Sequence, residues 1–223
     1  RWLRPKFLFE KLEKYKAHSG IRIEVIGRSL EGRQINALTW GNGPKRILCW
    51  SQMHGNEPTA TMAIIDLLNF LAAADKYDGL RAYLNEQLTI CIIPMVNPDG
   101  AEEFKRRNIF DIDINRDALR NQTPEGKILK DTFDSLKADF GFNLHDQSTR
   151  YTAGNSPKSA AISFLAPAFN YEKEFDSVRT KAVKLIGLMN NTLSEFMPGH
   201  IAKYSDDFEP RAFGDNFQKC GTS

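Results

Sequence analysis

Lys45-Arg-Ile-Leu-Cys-Trp-Ser-Gln52 followed by Met53-His54-Gly55-Asn56-Glu57-Pro58 is the stretch from which the rest of the chain can be ordered. Its first half is an apolar run behind Gly43-Pro44, which suits a strand buried on both faces. Its second half is a polar turn. From Pro58 onward Met62, Ile65, Leu68, Phe70 and Leu71 recur at helical spacing, and a proline in a first helical turn gives up no hydrogen bond. A buried strand running directly into a helix predicts an α/β fold.

The flanks extend the pattern. Upstream, Ile21 to Gly41 reads as two strands around a Gly27 to Gly32 turn, so a hairpin opens the fold. Downstream, Leu88 to Met95 is a second buried strand that ends at Asn97-Pro98-Asp99-Gly100, a strong turn signal. Ala101 to Gln122 is polar and without sustained periodicity, as expected of a long surface loop or short irregular pieces. A helix is predicted from Thr123-Pro124-Glu125, a strand over Phe140 to His145, and another over Ala160 to Leu165. The longest helix is predicted over Glu172 to Phe196, with Phe175, Val178, Ala182, Leu185, Leu188 and Met189 on one face and Pro198-Gly199 as its stop. No repeat or linker divides the chain, so residues 1–223 read as one domain.

Composition narrows the function. The 223 residues are 41% hydrophobic and 26% charged, with 30 Lys and Arg against 28 Asp and Glu, interspersed. A formal charge of +2 forecasts no broad phosphate-binding surface, so nucleic acid is not the expected partner. The longest apolar candidate, Ala60 to Ala74, is interrupted by Asp66 and Asn69, so no membrane-spanning helix is expected. Cys49, Cys91 and Cys220 lack metal-ligand spacing and an even count, so buried free thiols are expected for the two inside strands. The chain begins at Arg1 without a recognisable leader, which leaves the compartment open and leans to the cytoplasm.

Ligands in open α/β sheets bind where strands end. His54 and Glu57, three apart in a turn entering a helix, can face one point, and His145 at a later strand end could supply a third donor. Two imidazoles and a carboxylate with a fourth position for water suit a catalytic zinc. Each also has a structural reading, as a helix cap, a dipole partner or a satisfied core histidine. Arg106-Arg107 and Asp113-Ile-Asn115-Arg116 follow. Arginine matches a planar carboxylate and asparagine adds a neutral donor, so Asn115 with Arg116 could hold a substrate's terminal carboxylate, or the segment could be a salt-bridged loop.

In this order, His-x-x-Glu, Asn-Pro-Asp-Gly, Asn-Arg and a later single His, the motifs of Ile47 to Asp146 resemble the zinc carboxypeptidase family (peptidase family M14). The resemblance implies a mixed, mainly parallel sheet of about eight strands between helices, and one zinc per chain on His54, Glu57 and His145. It further implies Asn115 and Arg116 on the substrate carboxylate, Arg107 in preference to Arg106 on the scissile carbonyl, and Tyr204 as a substrate-capping tyrosine. The implied reaction is hydrolysis of the C-terminal peptide bond of a peptide by a metal-activated water. The family's catalytic Glu lies near the end of its domain, whereas no Glu follows Glu209 here, so the domain is expected to be truncated and the base to lie beyond Ser223. Asp146, Glu209 and Asp215 have no spacing argument as substitutes. Two alternatives stand beside a peptidase. One is an amidohydrolase of N-acyl amino acids, like aspartoacylase or succinylglutamate desuccinylase. The other is a catalytically silent zinc- or peptide-binding domain.

Overall fold

The computed structural model describes residues 2–18, 20–148, 150–205 and 207–223; Arg1, Ser19, Thr149 and Asp206 lie outside it. Two compact units make up the chain. The first runs to His145 and takes in residues 211–213, and the second holds residues 146–210 and 214–223.

The first unit is built on a five-stranded sheet in the order β1 (Ile21–Arg28), β2 (Gln34–Trp40), β4 (Leu88–Ile93), β3 (Lys45–Ser51), β5 (Phe140–Leu144). β1, β2 and β4 pair antiparallel, while β3 runs parallel to both β4 and β5. Leu48 and Trp50 of β3 are fully buried, as its apolar run predicts. Helices α1 (Pro5–Glu13) and α2 (Thr59–Ala72) contribute Leu8, Leu12, Ile64 and Leu68 to a core shared with Leu38, Trp40 and Ile92 of the sheet. α3 (Asp78–Gln87) leads directly into β4. The thiols of Cys49 and Cys91 are free, and burial pushes them up to about 12 and about 11 respectively.

Asn97-Pro98-Asp99-Gly100 does more than turn. Asn97 caps α4 (Pro98–Glu103), its side chain accepting from Gly100 N, and a 3-10 turn over Ile114–Arg116 further interrupts the segment predicted as loop. α5 (Pro124–Leu136) then begins at Thr123, whose hydroxyl accepts from Gly126 N. The second unit contains a parallel pair, β6 (Ile162–Phe164) and β7 (Ile201–Lys203), joined through α6 (Ser177–Phe196), with α7 (Phe213–Lys219) near the end of the chain.

Three expectations need correction. In place of one sheet of about eight strands, the described residues form a five-stranded sheet and a separate pair. The run Ala160 to Leu165 is extended over three residues, and its partner Ile201–Lys203 is too short for alternation to announce it. The long helix starts at Ser177, not Glu172, because Asp176 caps it by accepting from Arg179 N at 2.7 Å. Its predicted apolar face is incompletely covered. Leu188 is 67% exposed, while Arg179 is buried, lying over the Phe175 ring at 4.4 Å and donating to the carbonyls of Lys173 and Glu174.

Two buried carboxylates clamp the β1–β2 turn. Asp99 accepts from Ser29 Oγ (2.7 Å), Glu31 N (3.0 Å) and Arg33 Nη1 (2.7 Å), and fully buried Glu125 accepts from Leu30 N (3.2 Å). Burial raises the pKa of Glu125, and the Asp99 charge adds to this. A carboxyl raised on folding contributes most below its unfolded value, and that contribution is lost as pH rises through its folded value. Glu125→Gln should therefore raise the thermal unfolding midpoint at pH 7 relative to the parent, with the gain shrinking toward pH 4. An equal effect at both pH values in calorimetry would show that charge at Glu125 is not the cause.

Candidate metal centre

Strand register brings the site together. β3 and β5 are parallel neighbours with Ser51 opposite Leu144, so the chain leaves both strands at adjacent points on one sheet end. His145 follows β5 at once, and the turn carrying His54 and Glu57 follows β3. That turn starts at buried Gln52, which adopts a left-handed φ of 48° and is held there by its own side chain. Gln52 Nε2 donates to Gly55 O (3.0 Å), and Gln52 Oε1 accepts from Thr61 Oγ1 (2.8 Å).

The structure brings His54, Glu57 and His145 together, with ligand atoms all within 4.8 Å of one another. One carboxylate serves both imidazoles: Glu57 Oε1 lies 2.8 Å from His54 Nδ1, and Oε2 lies 2.8 Å from His145 Nδ1. His54 is 2% exposed, and its other nitrogen, Nε2, is 3.1 Å from Asp113 Oδ1. A carboxylate behind a ligating imidazole fixes the ring and raises its basicity, leaving Nδ1 to face the ligand position.

Electrostatics follow from these contacts. Burial raises the Glu57 carboxyl, but hydrogen bonds from His145 and His54 outweigh it and hold the group well below the usual range. Burial likewise raises Asp113, and His54 and Arg106 more than reverse it. Burial lowers His54, and its bonds to Asp113 and Glu57 turn the net shift upward. Two imidazole nitrogens and a carboxylate oxygen are the set that zinc takes in sites with an open position.

The other predicted residues divide. Asn115 is at the cluster, its Nδ2 3.4 Å from His145 Nε2 and its Oδ1 accepting from Phe213 N (3.1 Å). Arg116 is exposed beside it and donates to Asn115 O (2.7 Å). Arg107 turns away: its Nη1 is bonded to the carboxylate and the carbonyl of Asp111, both at 3.1 Å. Its neighbour Arg106 faces the cluster instead, reaching Glu57 Oε1 (3.2 Å) and Asp113 Oδ2 (3.0 Å). Adjacent residues in an irregular segment can face different ways, and an Asx turn follows these two, with Asn108 Oδ1 accepting from Phe110 N and Ile112 N. Tyr204 belongs to the second unit, with an exposed side chain and its N–H on Phe164 O (2.8 Å).

Sequence reasoning passed over Asp113 and the positioning work of Gln52. Asp113 had a readable signal as a capping residue: it stands before the 3-10 turn over Ile114–Arg116, its side chain accepting from Asn115 N.

The sequence profile of the family described as "Zinc carboxypeptidase" matches residues 10–186, more than half of the chain. The chain belongs to the zinc carboxypeptidase family. Among curated relatives, carboxypeptidase 2 of Trichophyton rubrum is 31% identical over 136 residues, covering 59% of this chain and 24% of that protein. Gamma-D-glutamyl-L-diamino acid endopeptidase 1 of Lysinibacillus sphaericus is 32% identical over 128 residues, covering 55% and 31%. The chain thus spans about a quarter to a third of these relatives' lengths. The crystal structure of a metallo-carboxypeptidase from Burkholderia cenocepacia superposes with a TM-score of 0.75 at 18% identity, over 95% of this chain and 56% of that one, which establishes the shared fold.

Asp113→Asn keeps the shape but weakens the hold on His54. Zinc affinity, measured by competition with a chromophoric chelator, should fall about 10–100-fold with an unchanged far-UV spectrum. Unaltered affinity would remove Asp113 from this role.

Proposed function

We propose that the protein is a zinc-dependent carboxypeptidase that hydrolyses the C-terminal peptide bond of peptides, with one zinc per chain on His54, Glu57 and His145. The observation that carries this reading is the convergence of those three donors at the ends of two adjacent parallel strands, with Asn115 against one of them. When bound, zinc would acidify a water and polarise the scissile carbonyl.

The chain's own residues supply the rest. Arg116 would form a charge-assisted pair with the substrate's terminal carboxylate, and Asn115 would orient it with a neutral donor. Arg106, not Arg107, is the cation suited to the developing oxyanion, because its guanidinium already lies at the ligand carboxylate. Glu57 and Asp113 are both committed to imidazoles, so the proton acceptor for the water is a carboxylate outside the ligand set. Tyr204 takes no part in this reading.

Two measurements test it. After dialysis against metal-free buffer and reconstitution, elemental analysis should find about one zinc per parent chain and none on His54→Ala or His145→Ala; no zinc on the parent would end the reading. Arg116→Ala should weaken binding of peptides with a free C-terminus by at least tenfold while leaving C-terminally amidated peptides little changed. Equal losses on both would remove Arg116 from carboxylate recognition.

A further inference from the structure

Asn97 lies outside the ligand set, yet its side chain sits where three segments meet. It is fully buried, and every polar atom of its amide faces a backbone group. Oδ1 accepts from Gly100 N at 2.8 Å. Nδ2 lies 3.3 Å from the carbonyl of Met53, the residue before His54, and 3.4 Å from the carbonyl of Arg106. The Arg106 carbonyl also receives Gly55 N at 3.4 Å, and Asn97 N donates to Gln52 O at 3.1 Å. One amide therefore links the turn that carries two of the metal ligands to the residue whose guanidinium reaches Glu57 and Asp113.

The packing leaves no slack around this link. A Cβ on Gly55 would lie 2.0 Å from the Gly100 carbonyl carbon, and one on Gly100 would lie 2.5 Å from Asn97 Nδ2 and 2.7 Å from the Arg107 carbonyl oxygen. Backbone touches backbone, with the Asn97 amide spanning the seam. A carboxylate of the same shape would still cap Gly100 N, but its second oxygen would face two carbonyl oxygens at a fully buried position, an arrangement that costs free energy.

We infer that Asn97 is a positioning residue that sets the His54/Glu57 turn and the Arg106 segment in one frame, so that ligands and cation are placed together. The inference rests on the zinc reading above. It predicts that loss of the Nδ2 donor loosens both segments at once and weakens metal binding without removing any ligand.

The test uses Asn97→Asp and the milder Asn97→Ser, which keeps a capping oxygen and is too short to span the seam. Zinc affinity by chelator competition should fall about 10–100-fold in folded Asn97→Ser, the range seen when outer groups that orient ligands are lost. In the metal-free protein, amide hydrogen exchange should speed up together in residues 53–57 and 104–113, while β3 and β4 keep their protection. Zinc affinity within twofold of the parent, or exchange that rises in one segment alone or uniformly through the fold, would overturn the inference while leaving the metal site standing. A parent chain that takes up no zinc would overturn the zinc reading and this inference with it.

Discussion

Parallel pairing of β3 with β5 in the register that sets Ser51 opposite Leu144 is the constraint on which the site depends. A side chain's face alternates along a strand, so a slip of one residue would turn His145 to the other side of the sheet. The buried Leu48 and Trp50 make such a slip costly, since it would move apolar side chains out of the core. The hydrophobic core and the convergence of ligands are thus secured by the same alignment. α2 begins two residues after Glu57, at Thr59, and its Thr61 anchors Gln52, tying the turn back to the strand it leaves.

Around that alignment the charges are arranged in alternation. Two carboxylates face Arg106 as well as imidazole: Glu57 is shared between His54, His145 and Arg106, and Asp113 between His54 and Arg106. Each buried or half-buried charge therefore has an opposite partner, which burial requires. Arg106 is the more exposed member of this network, with 44% of its side chain accessible, so it is the one that can exchange its present partners for an incoming group.

Much of this was legible in the sequence. An apolar strand leading into the turn that carries His54, and another ending at His145, placed candidate donors at strand ends before any pairing was known. What could not be read was which ends are neighbours, because register is a long-range property. The choice between Arg106 and Arg107 could not be read for a related reason: no periodicity governs such a segment, so nothing in the sequence signals which way each side chain faces. Expecting about eight strands overreached because it came from a family likeness, whereas Ile162–Phe164 and Ile201–Lys203 are too short to show a pattern of their own. Asn97 was visible as part of a turn signal, but nothing in one dimension tells that its amide bridges residues 44 positions upstream and 9 downstream.

The contact between Gly55 and Gly100 has a consequence for how such a chain can change over generations. A turn and a helix start whose backbones touch share one clearance, so neither can gain a side chain or an extra residue unless the other retreats. Variation should therefore arrive in pairs at this seam, while a position such as Gly79, whose Cβ would meet open space, is free to vary one at a time. The two segments would be inherited as a single unit, although 44 residues of sequence separate their glycines.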